Sequence, residues 1–279
     1  MRSRVKFSYR GMLRQMLSRE EYENATKSYD VFGNIAIIDS SGNAAKKIAK
    51  AVMLANKNVE TVLRKKGAVE GEYRIRAFGY VLGKKNYLVK YRENGAVFEF
   101  DLRKTFFSSR LAYERQRIVQ QVGDKENVIV MFAGVGPFAI EIAKHHRNCK
   151  VIAIELNKNA YAYMLKNIKA NKTVNVVPEL GDVKKVARKY AGFADRIIMP
   201  LPKDTYRFLP EVLEVAGKRC IVHYYAFGKI EDAFSTHTAK LRNFFVDKKR
   251  SFRVLGKRVV RPYSAREIEI VLDFVIRRG

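Results

Sequence analysis

From about residue 126 the chain alternates short apolar runs with amphipathic ones, and this rhythm leaves few folds open. "NVIVMFA" is followed by "PFAIEIAKHH", and "KVIAIEL" by "KNAYAYMLKNIKANK"; "VNVVPEL", "ADRIIM" and "RCIVHYYAF" supply three more strand-like runs. Parallel strands need crossover helices, and runs apolar throughout need cover on both faces. A mostly parallel, doubly wound α/β sheet is therefore expected. After the helical "EDAFSTHTAKLRNFFVDKKR", the runs "SFRVLGKRVV" and "EIEIVLDFVI" are joined closely enough for an antiparallel pair that closes the sheet.

The first hundred residues lack that rhythm. "SREEYENA" offers Ser18 and Glu21 as a capping box, so a helix starts there. "VFGNIAIID" and "VETVLRK" read as strands around the helical "NAAKKIAKAVMLAN". Asn94-Gly95, inside the alternating "NYLVKYRENGAVFEFDL", favours the positive φ angles of a tight hairpin. A small α+β domain over residues 1–105 is expected, followed by the doubly wound domain over 106–279. No internal repeat or low-complexity linker marks the join.

Charge decides the class of partner. Lys and Arg number 55 against 28 Asp and Glu, a formal net charge of +27. A chain this basic repels itself unless it meets a polyanion, so RNA or DNA leads and an acidic membrane surface follows. Cys149 and Cys220 have neither a disulfide framework nor metal-ligand spacing and read as small core residues in a reducing cytosol. "MRSRVKFSYRGML" is basic without the apolar stretch of a signal peptide, and no run approaches a membrane span. The expectation is a soluble, cytoplasmic protein without a metal.

Three successive strand ends carry chemistry. In "MFAGVGPFAI", Gly134 and Gly136 lie in the turn from strand to helix and Pro137 suits the first helical position. Such a turn lets a ligand approach the backbone at a helix N-terminus, although a tight structural turn also wants glycine. The spacing departs from G-x-G-x-x-G, which argues against a dinucleotide pyrophosphate site. Glu155 ends the next strand, where a carboxylate can accept both hydroxyls of a ribose; the bland alternative is a helix-terminal charge beside Asn157. Asp182, in "ELGDV", is placed to meet an adenine amino group or to cap the following helix. Together the three point to a nucleoside pocket.

These residues carry a resemblance. "MFAGVGPF", "AIEL", "GDV", "ADRIIMPLP" and "IVHYYAFGK" resemble the AdoMet-binding domain of the archaeal and eukaryotic tRNA guanine-N1 methyltransferases. "FFSSRLAYERQRI" is similar to their "Y-F-S-P-R-L-x-x-E-R" segment, and "GEYRIR" to the segment bearing a functional arginine. The resemblance covers roughly residues 60–279. It implies a Rossmann-like class I AdoMet-dependent methyltransferase fold preceded by the small α+β domain, an archaeal source and a monomer. It implies S-adenosyl-L-methionine contacts from Phe107, Ser108, Arg115, Phe132, Gly134, Gly136, Glu155, Leu156, Asn157, Asp182 and Val183. Arg74 and Glu114 match the functional arginine and glutamate.

The departures are informative. Those methyltransferases carry Asn-Leu-Pro where this chain has Pro200-Leu201-Pro202, and proline cannot supply the amide that bonds guanine. Phe106 stands where they place a tyrosine, and Val130 where they tend to place an acid. A paralogous branch fits this pattern: the wybutosine-synthesising enzymes that transfer a 3-amino-3-carboxypropyl group from AdoMet to 4-demethylwyosine in tRNA-Phe. The proline turn resembles that branch, and Pro200, Leu201 and Pro202 are read as the apolar floor beneath a flipped tricyclic base in the anticodon stem-loop.

Arg74 is assigned to the methionine carboxylate or a tRNA phosphate. Glu114 is assigned to the cofactor amino group or a proton, with an ion pair to Arg115 or Arg117 as the alternative. His223 stays open between proton transfer and structure, and Tyr224 and Tyr225 between core and base stacking. The competing functions are a guanine-37 N1-methyltransferase and a non-catalytic tRNA-binding module; failure to bind AdoMet would favour the latter.

Overall fold

The computed structural model describes residues 8–71 and 75–278. They form two compact units: a first reaching to Glu93 and including Val97–Ser109, and a second made of Asn94–Ala96 and Arg110–Gly279.

The first unit runs α1 (Tyr9–Met16), α2 (Arg19–Asn24), β1 (Tyr29–Phe32), β2 (Ile35–Ile38), α3 (Gly42–Ala55), β3 (Thr61–Glu70), β4 (Ile75–Gly83), β5 (Leu88–Glu93) and β6 (Ala96–Asp101). Its four-stranded sheet has the order β1-β2-β3-β4, with only β2 and β3 parallel. α2 opens on the expected capping box: the Glu21 N–H donates to Ser18 Oγ (3.2 Å) and the Ser18 N–H to Glu21 Oε2 (2.8 Å). α3 buries Ala45, Ile48, Ala49 and Val52, a stripe at helical spacing. "VFGNIAIID" is not one strand but the β1–β2 hairpin. Gly33 turns it at φ 56°, where a Cβ would stand 2.1 Å from the Lys90 carbonyl oxygen. Asn94 and Gly95, both at positive φ, join β5 to β6 as their chemistry requires.

The second unit runs α4 (Ala112–Gln121), β7 (Asn127–Met131), α5 (Pro137–His145), β8 (Lys150–Glu155), α6 (Lys158–Asn171), β9 (Val176–Leu180) and α7 (Val183–Val186). It continues through β10 (Ala194–Met199), α8 (Leu209–Val215), β11 (Ala216–Lys229), α9 (Ala233–Asp247), β12 (Arg250–Pro262) and β13 (Glu267–Arg278). The sheet order is β12-β13-β11-β10-β7-β8-β9. The five strands from β11 to β9 are parallel, while β13 and β12 close the sheet antiparallel.

Alternate residues of each central strand feed two cores. Ile129, Met131, Ile152, Ile197 and Met199 pack with α8 and α9 through Val212, Leu241 and Phe245. Val128, Val130, Val151, Ala153 and Ile198 pack with α4, α5 and α6 through Ile118, Phe138 and Met164. A sheet covered on both faces explains why these strands read as unbroken apolar runs. Cys149, just before β8, and Cys220, in β11, are buried and free. Among the described residues no helix is long and apolar enough to cross a membrane.

Candidate active site at the carboxyl ends of the parallel strands

β7 starts the sheet at its middle; β8 and β9 build outward on one side, β10 and β11 on the other. Loops leaving β7 and β10 therefore diverge and open a crevice at the strands' carboxyl ends, where open α/β sheets bind ligands.

The turn after β7 is backbone in the left-handed region three times over, at Phe132 (φ 58°), Gly134 (φ 60°) and Gly136 (φ 92°). It is tied by the Ala133 N–H to the Ile154 carbonyl (2.8 Å) and the Gly136 N–H to the Ala133 carbonyl (3.0 Å). A Cβ on Gly136 would lie 3.0 Å from both Ile140 Cδ1 and Met164 Cγ, so glycine also lets α5 approach α6. Phe132, a non-glycine in this region, marks strain of the kind that collects at functional sites. Its ring meets Phe208 edge-on at 4.6 Å.

Glu155 stands at the tip of β8. Its Oε2 accepts the Gly134 N–H and its Oε1 the Asn157 N–H, each at 2.7 Å. Burial raises the carboxyl pKa despite the backbone hydrogen bonds from Asn157, Gly134 and Leu156. With these three N–H donors on about four lone-pair sites, the carboxylate can still accept a further hydroxyl donor. Leu156 follows it, half-buried. Asn157 is buried and its Oδ1 caps α6 from the Asn159 N–H (2.9 Å). Asp182 caps α7 through Oδ1 and the Lys184 N–H (2.9 Å), the bland role considered for it. Its Oδ2 makes no hydrogen bond among the described residues, and Val183 beside it is buried.

β10 ends at Met199, and the proline turn follows. The Leu201 N–H donates to the Met199 carbonyl (2.9 Å), the Phe227 N–H to the Pro202 carbonyl (3.3 Å) and the Thr205 hydroxyl to the Leu201 carbonyl. Pro200 and Leu201 are half-buried and Pro202 is buried. The turn thus presents a pinned surface with no side-chain donor or acceptor of its own.

Glu114, in the first turn of α4, is buried at one end of a polar row along the α4 side of the sheet. The Tyr225 hydroxyl donates to its Oε1 (2.7 Å), and Arg117 clasps it through Nε (3.0 Å) and Nη2 (2.7 Å). Tyr225 lies one residue past Tyr224, which pairs with Met199 at the end of β10. Arg117 Nη1 also donates to Asp273 Oδ2 (2.5 Å), whose Oδ1 lies 2.6 Å from His223 Nδ1. Arg196 Nη1 is 2.8 Å from His223 Nε2, and the same guanidinium holds Glu126. Of this row, the sequence offered the Glu114–Arg117 ion pair as an alternative, which the structure shows, and named His223 and Tyr225 without joining them to it; it did not point to Asp273, Arg196 or Glu126. The available signal was an isolated Asp273 in "IVLDFVI" and an isolated Arg196 in "ADRIIM". Tyr224 and Tyr225 are buried, which resolves them as core and network groups and not as stacking platforms.

The remaining expected residues fall elsewhere. Arg115 is buried, its Nε 3.3 Å from Glu141 Oε1 of α5 and its guanidinium 6.0 Å from the Phe138 ring. Phe107 and Ser108 belong to the first unit, where Phe107 stacks on Phe100 at 4.6 Å and meets Phe32, Tyr91 and Phe98. Phe106 is half-buried. Arg74 lies outside the described residues. What the second unit does bring to one edge is Phe132, Gly134, Gly136, Glu155, Leu156, Asn157, Asp182, Val183 and the proline turn. No cluster of metal-ligating side chains occurs among the described residues.

Residues 89–255 match the TRM5/TYW2 methyltransferase domain, and residues 9–86 match the TYW2 N-terminal domain. The chain is 40% identical over 250 residues to the tRNA (guanine(37)-N(1))-methyltransferase Trm5b of Pyrococcus abyssi, a match covering 88% of this chain and 74% of that protein. It is 31% identical over 263 residues to the tRNA 4-demethylwyosine(37)-methyltransferase Taw21 of Saccharolobus solfataricus, covering 91% and 95%. Identity is also 31%, over 212 residues, to the tRNA(Phe) (4-demethylwyosine(37)-C(7)) aminocarboxypropyltransferase of Methanocaldococcus jannaschii, covering 75% and 83%. Among solved structures, Pyrococcus abyssi Trm5b superimposes with a TM-score of 0.86 at 37% identity, covering 96% of this chain and 81% of that one. Methanocaldococcus jannaschii TYW2, in complex with AdoMet, gives 0.71 at 26% identity, covering 90% and 100%.

Proposed function

This chain belongs to the TRM5/TYW2 methyltransferase family, and on that basis we propose that it alkylates 4-demethylwyosine at position 37 of tRNA-Phe, transferring the 3-amino-3-carboxypropyl group of S-adenosyl-L-methionine. Membership makes it an AdoMet-using transferase of tRNA modification. The observation that carries the finer reading is the Pro200-Leu201-Pro202 turn. The Leu201 carbonyl is engaged by Thr205 and the Pro202 carbonyl by the Phe227 N–H, and the turn's side chains offer nothing to the polar edge of guanine. A larger, less polar tricycle suits such a floor. The match of the first unit to the TYW2 N-terminal domain supports the same branch.

The strand-end residues fit AdoMet. Glu155 retains room for a ribose hydroxyl, and Asp182 Oδ2 is available to an adenine amino group. The left-handed turn at Phe132–Gly136 brings backbone close to the ligand. When bound, AdoMet supplies a sulfonium that makes each attached carbon electrophilic. The protein's own task is to choose which carbon lies in line with the acceptor, at a separation of about 3–3.5 Å. A ring carbon of the base forms the new bond as the carbon–sulfur bond breaks, and methylthioadenosine leaves with the electron pair. The ring then loses a proton, for which Glu114 is the assigned acceptor. Position 37 lies in the anticodon loop, so the base is splayed from its stack to reach the site, and Lys and Arg hold the loop's phosphates.

Two observations favour neighbouring readings. The end-to-end match to Taw21 favours methyl transfer to the same tricycle, and the identity to Trm5b favours methylation of guanine-37. Incubation with AdoMet and tRNA-Phe carrying 4-demethylwyosine, beside unmodified tRNA, separates all three. Methylthioadenosine with the tricyclic substrate alone is expected. S-adenosylhomocysteine with that substrate would replace the transferred group, and S-adenosylhomocysteine with unmodified tRNA would replace the acceptor as well.

A further inference from the structure

The polar row behind Glu114 closes its hydrogen bonds in only one way. Arginine donates and never accepts, so Arg196 Nη1, 2.8 Å from His223 Nε2, obliges that nitrogen to be the acceptor. The ring is then neutral with its proton on Nδ1, which donates to Asp273 Oδ1 at 2.6 Å. Asp273 Oδ2 is left for Arg117 Nη1 at 2.5 Å, with a longer contact of Nη2 to Oδ1 at 3.3 Å, and this turns the Nε edge of Arg117 onto Glu114. Every group in the sequence is buried or nearly so. Burial lowers the His223 pKa despite its bond to Asp273, in keeping with a neutral ring. A second cation near Glu114, Arg258, is 3.5 Å away and half-exposed, stacked over the Tyr113 ring.

We propose that Asp273 and His223 are positioning residues for the transfer: the tautomer dictated by Arg196 orients Arg117, and Arg117 fixes the carboxylate of Glu114. Their role rests on the reading of Glu114 as the proton acceptor in the proposed reaction. They act through Arg117 and touch neither the base nor the cofactor. A shared guanidinium also keeps Arg117 from neutralising Glu114 alone, since Asp273 takes part of its charge.

Asp273→Asn is the diagnostic variant. Asparagine keeps one oxygen for the His223 Nδ1–H and puts an NH2 where Oδ2 accepted Arg117 Nη1. Two donors then face each other, and Arg117 loses its 2.5 Å bond, keeping at most the 3.3 Å contact of Nη2 with Oδ1. His223 cannot change tautomer to relieve this without aiming an N–H at Arg196, so the guanidinium of Arg117 turns and Glu114 shifts with it. Turnover is expected to fall about 10–100-fold, as for a catalytic group displaced by a fraction of an ångström to an ångström. AdoMet affinity by calorimetry stays within about twofold, because the cofactor contacts lie on other strands. Parallel loss of turnover and AdoMet affinity, or unimpaired turnover in folded Asp273→Asn, would overturn the proposal.

His223→Gln, whose amide can donate to Asp273 and accept from Arg196, should retain about tenfold more turnover than His223→Leu, which can do neither. Equal losses would overturn the proposal too. Nitrogen-15 NMR of the histidine rings in the wild-type protein needs no variant and no activity. It should show His223 as the neutral Nδ1–H form with a strongly downfield proton, whereas an Nε2–H form or an imidazolium at neutral pH would overturn the hydrogen-bond order. A wild-type protein inactive on every tRNA would overturn the transfer reading instead, with the histidine spectrum still deciding the hydrogen-bond order by itself.

Discussion

Replacing Arg196 by methionine should cost the protein about 3 kcal/mol of stability, the sum of large opposing effects. Methionine has nearly the reach of arginine, so the perturbation is loss of charge and donors more than loss of volume. The buried guanidinium donates to Glu126 Oε2 (2.6 Å) and Oε1 (2.9 Å), to the Gln121 carbonyl (2.6 Å) and to His223 Nε2 (2.8 Å). Removing one member of a buried pair costs about 3–5 kcal/mol, because the other charge stays behind unpaired. The stranded Gln121 carbonyl adds about 1–3 kcal/mol. Against this, the Glu126 side chain is 22% exposed, so water can rehydrate it in part. The buried methionine contributes about 1.5–3 kcal/mol of its own. Urea unfolding at pH 7 would measure the difference, which corresponds to a fall in Tm of about 6–12 °C for a chain of this size. Adding Glu126→Gln to Arg196→Met removes the orphaned charge and should restore part of the loss. A cost below about 1 kcal/mol, the value of an exposed pair, would refute the reasoning. Strict additivity of the two substitutions would do the same.

Gly136→Ala places a side chain at φ 92° with its Cβ 3.0 Å from Ile140 and Met164. It should destabilise by about 2–4 kcal/mol and weaken AdoMet binding, read by calorimetry; a loss under about 1 kcal/mol would contradict the packing described. Pro200→Asn restores an amide to the floor. It should raise S-adenosylhomocysteine release with unmodified tRNA by up to about tenfold, at a stability cost of about 0.4–1 kcal/mol from the lost proline. No gain on guanosine tRNA would count against the turn as the specificity element. Stability should also fall with acid in two stages. Burial lowers the pKa of His223 and of His237, so the unfolded chain binds protons that the folded one refuses. That contribution is present above about pH 6.5 and declines as pH falls below it. Burial pushes the carboxyls of Asp273 and Glu126 up, but hydrogen bonds from His223 and Arg117 to the first, and from Arg196 to the second, hold both below the usual range. Their contribution is therefore kept down to about pH 4 and lost below it. Unfolding free energies that stay flat from pH 7.5 to 5 would refute the histidine part.

The parallel sheet, its closing antiparallel pair, the Asn94-Gly95 hairpin and the Ser18 capping box were legible because each depends on neighbours in sequence. Period, turn chemistry and capping act over a few residues. The strand-end residues Gly134, Glu155 and Asp182 were legible for a related reason: in a doubly wound sheet, the end of each parallel strand falls on the same edge wherever the helices go. The hairpin hidden in "VFGNIAIID" was not, since Gly33 is demanded by Lys90, far along the chain.

By itself, then, the sequence determined the layered architecture, the strand edge to which Gly134, Glu155 and Asp182 belong and the absence of a polar side chain from the proline turn. Only the tertiary structure decided which charges meet. Glu114 and Tyr225 bond from positions 111 residues apart, and Arg117 and Asp273 from positions 156 apart. Sequence spacing carries no record of such pairs, because they follow from the register of β11 against β13 and from the face that α4 lays on the sheet. Hydrophobic pattern sets that packing, and the polar groups then have to satisfy one another within it; that is why a row of isolated charges becomes a hydrogen-bonded order only once the chain is folded.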